Sequence, residues 1–207
     1  HPELGTTSLR DYVDDLAAFI ATLPERPILI GHSMGGLLTQ LLVAKGLAKA
    51  AILICSAAPR GVFPIRLSML PATARIFSTP GFWKKPNKLN AREARYAVFN
   101  EISEREAAVR IADIVHESGQ AAAEIVFAMF QKNGAATVDF NANKIPLLSI
   151  SGGRDRIVPS SVCSKNAALY GARCQFREYP QHAHFILGED GWEQMADDCL
   201  AWLKAKS

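Results

Sequence analysis

Pro27-Ile28-Leu29-Ile30-Gly31-His32-Ser33-Met34-Gly35-Gly36 is a short unbroken apolar run that ends in glycines around a histidine and a serine. Such a run, opened by proline and closed by glycine, fits a strand buried on both faces of a parallel sheet. The residues that follow suit a helix through Lys45, closed by Gly46. Ser33 therefore stands at the turn between a strand and a helix. Gly31-His32-Ser33-Met34-Gly35 fits G-x-S-x-G, and the strand-then-helix setting gives that pattern its meaning as a nucleophile elbow. In such an elbow the serine occupies a strained turn, and Gly31 and Gly35 are expected to leave room where larger side chains would collide with the strand and helix.

Upstream, Leu9, Tyr12, Val13, Leu16, Phe19 and Ile20 recur at spacings of three and four. They form one apolar stripe of an amphipathic helix over 8–23, ending at Pro24. Downstream, buried-strand patterns return at 50–55, 146–150 and 174–179, with helices at 161–170 and 191–204. Strands alternating with helices imply an α/β fold, a parallel sheet flanked by helices on both faces. About 90 residues separate the second strand from the third, far more than a connecting loop needs. After Pro59, Pro64, Pro71, Pro80 and Pro86 come helical stretches at 91–100, 103–115 and 120–132, and Ser103-Glu104-Arg105-Glu106 fits a capping box. The expected organisation is a core formed by 1–60 and 139–207, with 61–138 inserted as a helical lid.

A serine hydroxyl is a weak nucleophile and needs a base within hydrogen-bonding reach, itself oriented by an acid. Both should lie at other strand ends. Gly152-Gly153-Arg154-Asp155-Arg156-Ile157-Val158-Pro159 follows the third strand, and Pro180-Gln181-His182-Ala183-His184-Phe185 follows the fourth. Asp155 also suits a plain turn-capping role, and Asp139 and Asp190 are the other acids, neither of them after a strand. His182 competes with His184, whereas His32 reads as packing that shapes the elbow. The backbone N–H of Met34, at the start of a helix, is a natural donor to an oxyanion.

The order Ser33, Asp155, His184 is that of the α/β hydrolases, and through the elbow, the acid loop and the histidine loop the chain resembles that superfamily over essentially its whole length. The resemblance implies a serine hydrolase of esterase or lipase type, with Ser33 as nucleophile, Asp155 as orienting acid and Met34 in the oxyanion hole. The family's catalytic histidine follows a small residue and precedes an apolar one, which selects His184 as base. A serine nucleophile argues against the aspartate-dependent epoxide hydrolases and dehalogenases. Phe63, Leu67, Leu70, Ile76, Phe77, Phe82, Trp83, Phe99, Phe127, Met129 and Phe130 make the insertion apolar. A small or medium apolar carboxylic ester is thus the expected substrate, cleaved without metal or organic cofactor. The rival reading is a ligand-binding or inactive homologue that keeps the triad.

Composition narrows the classes further. At 207 residues, 49% hydrophobic and 21% charged, the chain supports one core with an elaboration. A net charge of +3 arises from 23 basic and 20 acidic residues scattered without basic blocks, which argues against nucleic acid as a partner. Lys84, Lys85 and Lys88 read as a solvated loop. Cys55, Cys163, Cys174 and Cys199 form no C-x-x-C pair, so buried free thiols in a reducing compartment are expected. With no membrane-length apolar run and no secretory pattern, a cytoplasmic location is expected. Only 32 residues precede Ser33, whereas the resemblance implies several strands and the second oxyanion donor ahead of it. The strand at 28–30 is accordingly expected to expose an apolar edge that pairs with a missing N-terminal segment or with a second copy.

Overall fold

A computed structural model describes residues 2–63 and 67–206. A 3-10 turn (Pro2–Thr6) leads into α1 (Leu9–Ala21), β1 (Ile28–His32), α2 (Met34–Ala44) and β2 (Ala50–Ile54). The chain then leaves the sheet through α3 (Leu70–Phe77), β3 (Pro86–Asn87), α4 (Ala91–Ala97), α5 (Glu104–Ala112), β4 (Glu117–Ser118) and α6 (Gly119–Val126). It returns as β5 (Leu147–Gly152), α7 (Ser160–Ala168), β6 (Cys174–Tyr179) and α8 (Trp192–Lys204).

β1, β2, β5 and β6 lie side by side in that order, all parallel, while β3 and β4 form a separate antiparallel pair. The residues of β2 and β5 are buried throughout, which is why their sequences carry no polar alternation. Successive side chains serve opposite layers. Ile52, Ile54, Leu148 and Ile150 pack on Met195, Cys199 and Trp202 of α8. Ala51 and Leu147 face Leu9 and Val13 of α1 and Leu37 and Leu42 of α2. The expected parallel sheet with helices on both faces is the observed one.

The two outer strands differ. Ile30 is level with Ile52 and so shares the face that α8 covers further along, yet no β1 residue joins that cluster. Ile30 stays 61% exposed, and Phe19 of α1, which borders the same groove, is 62% exposed. On the far side, the β6 face is polar: Arg177 pairs with Asp198 at 2.8 Å and the Tyr179 hydroxyl donates to the same carboxylate at 2.6 Å.

Local signals explain the helix ends. Ser8 caps α1 in a capping box with Asp11, and Asn90 caps α4 in one with Glu93. Neither box was expected. The one that was, at Ser103, is half formed: Ser103 accepts from the Glu106 N–H, but the Glu106 carboxylate lies beside Arg110 instead. The stretch around Pro71, where no helix was expected, contains α3, because proline in a first helical turn removes no needed hydrogen bond. The stretch expected as one helix over 120–132 is α6 followed by a 3-10 turn, Ala128–Phe130. Pro64 lies outside the described residues. All four cysteines are free; Cys55, Cys163 and Cys199 are buried, and Cys174 is partly exposed rather than buried. Among the described residues no helix is long and apolar enough to cross a membrane.

Candidate active site

Ser33 sits between the end of β1 and the start of α2 with φ 54° and ψ −120°, a region that non-glycine residues avoid. Its N–H is held by the Ile54 carbonyl at 3.0 Å, and its own carbonyl accepts from Ala57 N–H at 2.9 Å. The strained turn is thus fixed by the neighbouring strand. Gly31 is required, since a methyl there would overlap the Gly35 carbonyl and the Thr39 hydroxyl. Gly35 is not: a methyl group there meets nothing within 4 Å. The second crowded position is Gly36, where a methyl would press on Ser56 at 2.6 Å. The pattern glycine that looked necessary is therefore replaced in that role by the next one.

Asp155 lies on the loop after β5 and is 5% exposed. One carboxylate oxygen accepts the backbone N–H groups of Ile157 at 2.8 Å and Val158 at 2.7 Å. The other accepts from His184 Nδ1 at 2.7 Å. His184, on the loop after β6, is 3% exposed, and the Ser33 hydroxyl donates to its Nε2 at 3.0 Å. Ser33, His184 and Asp155 therefore form one continuous hydrogen-bonded chain at the carboxyl edge of the sheet. The glycine at 152 lets the acid and histidine loops meet, because a side chain there would overlap the carbonyls of His182 and Ala183.

The competitors go elsewhere. His182 Nδ1 donates to Glu189 at 3.1 Å. Asp139 accepts the N–H groups of Asn141 and Ala142 in a turn, and Asp190 is exposed. Met34 opens α2 and lines the cavity at Ser33, with its N–H among the first-turn donors that have no partner within the helix.

Three groups at the site make bonds that the sequence did not show. His32 does more than pack, because its Nε2 donates to the His184 carbonyl at 2.8 Å and ties the end of β1 to the histidine loop. Burial, reinforced by neighbouring His184, pushes its imidazole down to about 4, so it is neutral near pH 7. Cys55 follows β2 with φ 44° and directs its thiol to the Ala183 carbonyl at 3.9 Å. Glu189 accepts from Ala183 N–H at 2.8 Å. His32, Cys55 and His184 present ligand-type atoms within 4.8 Å of one another. Each is already engaged in the hydrogen bonds just described, so the cluster reads as packing around the triad.

Beside Ser33 is a cavity of about 160 Å³ lined by Met34, Ala57, Ala58, Met69, Phe77, Ala122, Ile125, Val126, Ile157, Val158 and Val162. Among the described residues, every one that lines it apart from Ser33 is apolar. Of the apolar residues expected from the insertion, Phe77 lines it; Phe82 and Phe99 are buried in packing, and Leu67 and Phe130 are more than 80% exposed. Met69, Ile125 and Val126 line it unforeseen.

A parallel sheet whose strand ends deliver an elbow serine, an aspartate and a histidine in this order defines an α/β hydrolase. Residues 3–191 match the family described as serine aminopeptidase, S33, and the chain belongs to that family. No curated protein sequence matches it. The fold is similar to the monoacylglycerol lipase of Paleococcus ferrophilus, with 20% identity and TM-score 0.68 over 98% of this chain and 77% of that one. It is also similar to an esterase from Rhodococcus sp. ECU1013, with 19% identity and TM-score 0.67 over 99% and 75% of the two chains. An esterase from Thermogutta terrifontis is comparable, at 20% identity and TM-score 0.67 over 97% and 74%.

Proposed function

We propose that the chain is a serine hydrolase that cleaves a small or medium apolar carboxylic ester through an acyl-serine intermediate. The observation that carries this reading is the Ser33–His184–Asp155 chain opening onto an apolar cavity. His184 Nε2 takes the Ser33 proton as Oγ attacks the ester carbonyl, and the Met34 N–H receives the developing oxyanion, aided by the positive end of α2. The imidazolium then gives that proton to the departing alcohol. Water, activated by the same nitrogen, attacks the acyl-serine and releases the acid. Asp155 keeps the proton on Nδ1 and stabilises the imidazolium, and its two backbone donors fix the carboxylate in place.

An aminopeptidase must also receive a substrate ammonium group, and among the described residues no carboxylate lines the cavity at Ser33. A purely apolar lining favours an acyl chain or an apolar alcohol. In this reading 61–138 acts as the lid, contributing Met69, Phe77, Ala122, Ile125 and Val126 to the substrate wall. The open side of β1 accepts a further strand, and the second oxyanion donor comes from that side. The test is hydrolysis of p-nitrophenyl esters from acetate to decanoate: turnover of short and medium chains, abolished in Ser33→Ala, is expected. Equal rates in wild type and Ser33→Ala would overturn it.

A further inference from the structure

The loop carrying His184 is pinned at each residue from 182 to 184. The His182 carbonyl accepts from Arg154 N–H at 2.8 Å, and the His184 carbonyl accepts from His32 at 2.8 Å. Between them, the Ala183 carbonyl faces the Cys55 thiol and the Ala183 N–H donates to Glu189 at 2.8 Å. Glu189 is the only carboxylate among these anchors. It lies five residues beyond His184, just before α8, and is 2% exposed. One of its oxygens is shared by Ala183 N–H and the His182 ring, while the other is buried with no hydrogen-bond partner among the described residues.

Burying a carboxylate is costly, and one left with an unpartnered oxygen has not recovered that cost in full. Burial accordingly pushes the Glu189 carboxyl up, opposed by the Ala183 amide and by His182. A neutral side chain of the same size would fill this space at lower cost. What the carboxylate adds is a grip on the amide immediately before His184, at a residue with no exposed surface where water could serve as the partner. Losing that acceptor would leave a buried N–H orphaned and free the loop to rotate.

We propose that Glu189 is a positioning residue: by holding Ala183 N–H and the His182 ring together, it aims one nitrogen of His184 at Asp155 and the other at Ser33. This rests on the hydrolase reading for its consequence in turnover, but not for its geometry. It also gives His182, the unused histidine of the loop, a task. The rate is sensitive to such aim, since a misplacement of about 1 Å can cost roughly 100-fold.

The test compares wild type with Glu189→Ala and Glu189→Gln, with rates normalised to sites titrated by a fluorophosphonate. Glu189→Ala should lower kcat on p-nitrophenyl butyrate by about 10- to 100-fold, with KM within about twofold. Glu189→Gln, whose amide oxygen can still accept from Ala183, should recover most of the loss. In parallel, the His184 Nδ1 proton, observed by NMR on histidine-labelled protein, should move or broaden in the alanine variant and keep its position in the glutamine variant. If the alanine variant does not fold, Glu189→Leu, which fills the volume without an acceptor, takes its place. An unchanged kcat together with an unmoved His184 resonance would overturn the proposal. A moved resonance in a protein that hydrolyses no ester would uphold the positioning role while removing the hydrolase reading.

Discussion

The sheet's two outer strands each deliver a group to the same site, β1 leading to Ser33 and β6 to His184, yet their sides are finished differently. β6 carries Arg177 and Tyr179, both bound to Asp198 of α8, the kind of polar coat that discourages pairing with other chains. β1 offers Ile28 and Ile30 to an uncovered face, and with Leu16 and Phe19 they border an open groove of about 440 Å³. One side is built as an edge, and the other has the composition of an interior strand. The contrast teaches that good local geometry does not depend on a covered flank, because the Ser33 backbone is held from the β2 side and its hydroxyl by His184 of the histidine loop.

The largest effect should come from the β6 side of the site. Asp155→Asn leaves the loop its shape but removes the charge that fixes the His184 tautomer, and kcat for p-nitrophenyl butyrate should fall by about 10⁴-fold; a loss under about tenfold would show that His184 is oriented by something else. On the β1 side, Gly31→Ala forces a methyl into the Gly35 backbone. It should cost roughly 3 kcal/mol or more by urea denaturation, whereas Gly35→Ala should change stability by no more than about 1 kcal/mol.

His32 joins the two sides, and its burial has a pH signature. Its imidazole falls from an ordinary 6.5 to about 4 in the folded chain, so the unfolded chain binds its proton first as pH drops. Stability from neutral His32 is complete above pH 6.5 and is lost as pH falls from there through about 4. His32→Gln, which keeps a donor for the His184 carbonyl but does not titrate, should lose less stability between pH 7 and pH 4 than wild type does, by roughly 3 kcal/mol. Parallel denaturation curves at the two pH values check this; equal losses in both proteins would contradict it. The smallest folding effect belongs to the open flank. Ile30→Lys should change stability by about 0.5 kcal/mol or less while reducing self-association in sedimentation velocity, and Arg177→Ile on the β6 side should do the reverse.

Much of this architecture could be read from residues alone. Strands buried on both faces announce themselves as short apolar runs, Gly46 marks a helix end, and of the two elbow glycines read as room-making, Gly31 is crowded and Gly35 is not. That Ser33, Asp155 and His184 come together could be read from strand order, since each stands just past a strand end. The insertion was harder to read: α3 hid behind Pro71, and the residues lining the cavity carry the same apolar signature as those that merely pack, such as Phe82 and Phe99. Glu189 left no signal, because an acid beside Asp190 after an apolar stretch looks like surface until its reach back to Ala183 is seen. His32 was visible as a neighbour of the nucleophile, but its bond to a carbonyl 152 residues away depends on the tertiary fold.

The central claim, that Ser33 is a nucleophile activated by His184, is tested most directly by titrating the folded chain with a fluorophosphonate and locating the adduct by mass spectrometry. About one equivalent of label is expected on Ser33, strongly slowed in His184→Ala and absent in Ser33→Ala. A folded protein that takes up no label, or one that is labelled equally well without Ser33, would contradict it.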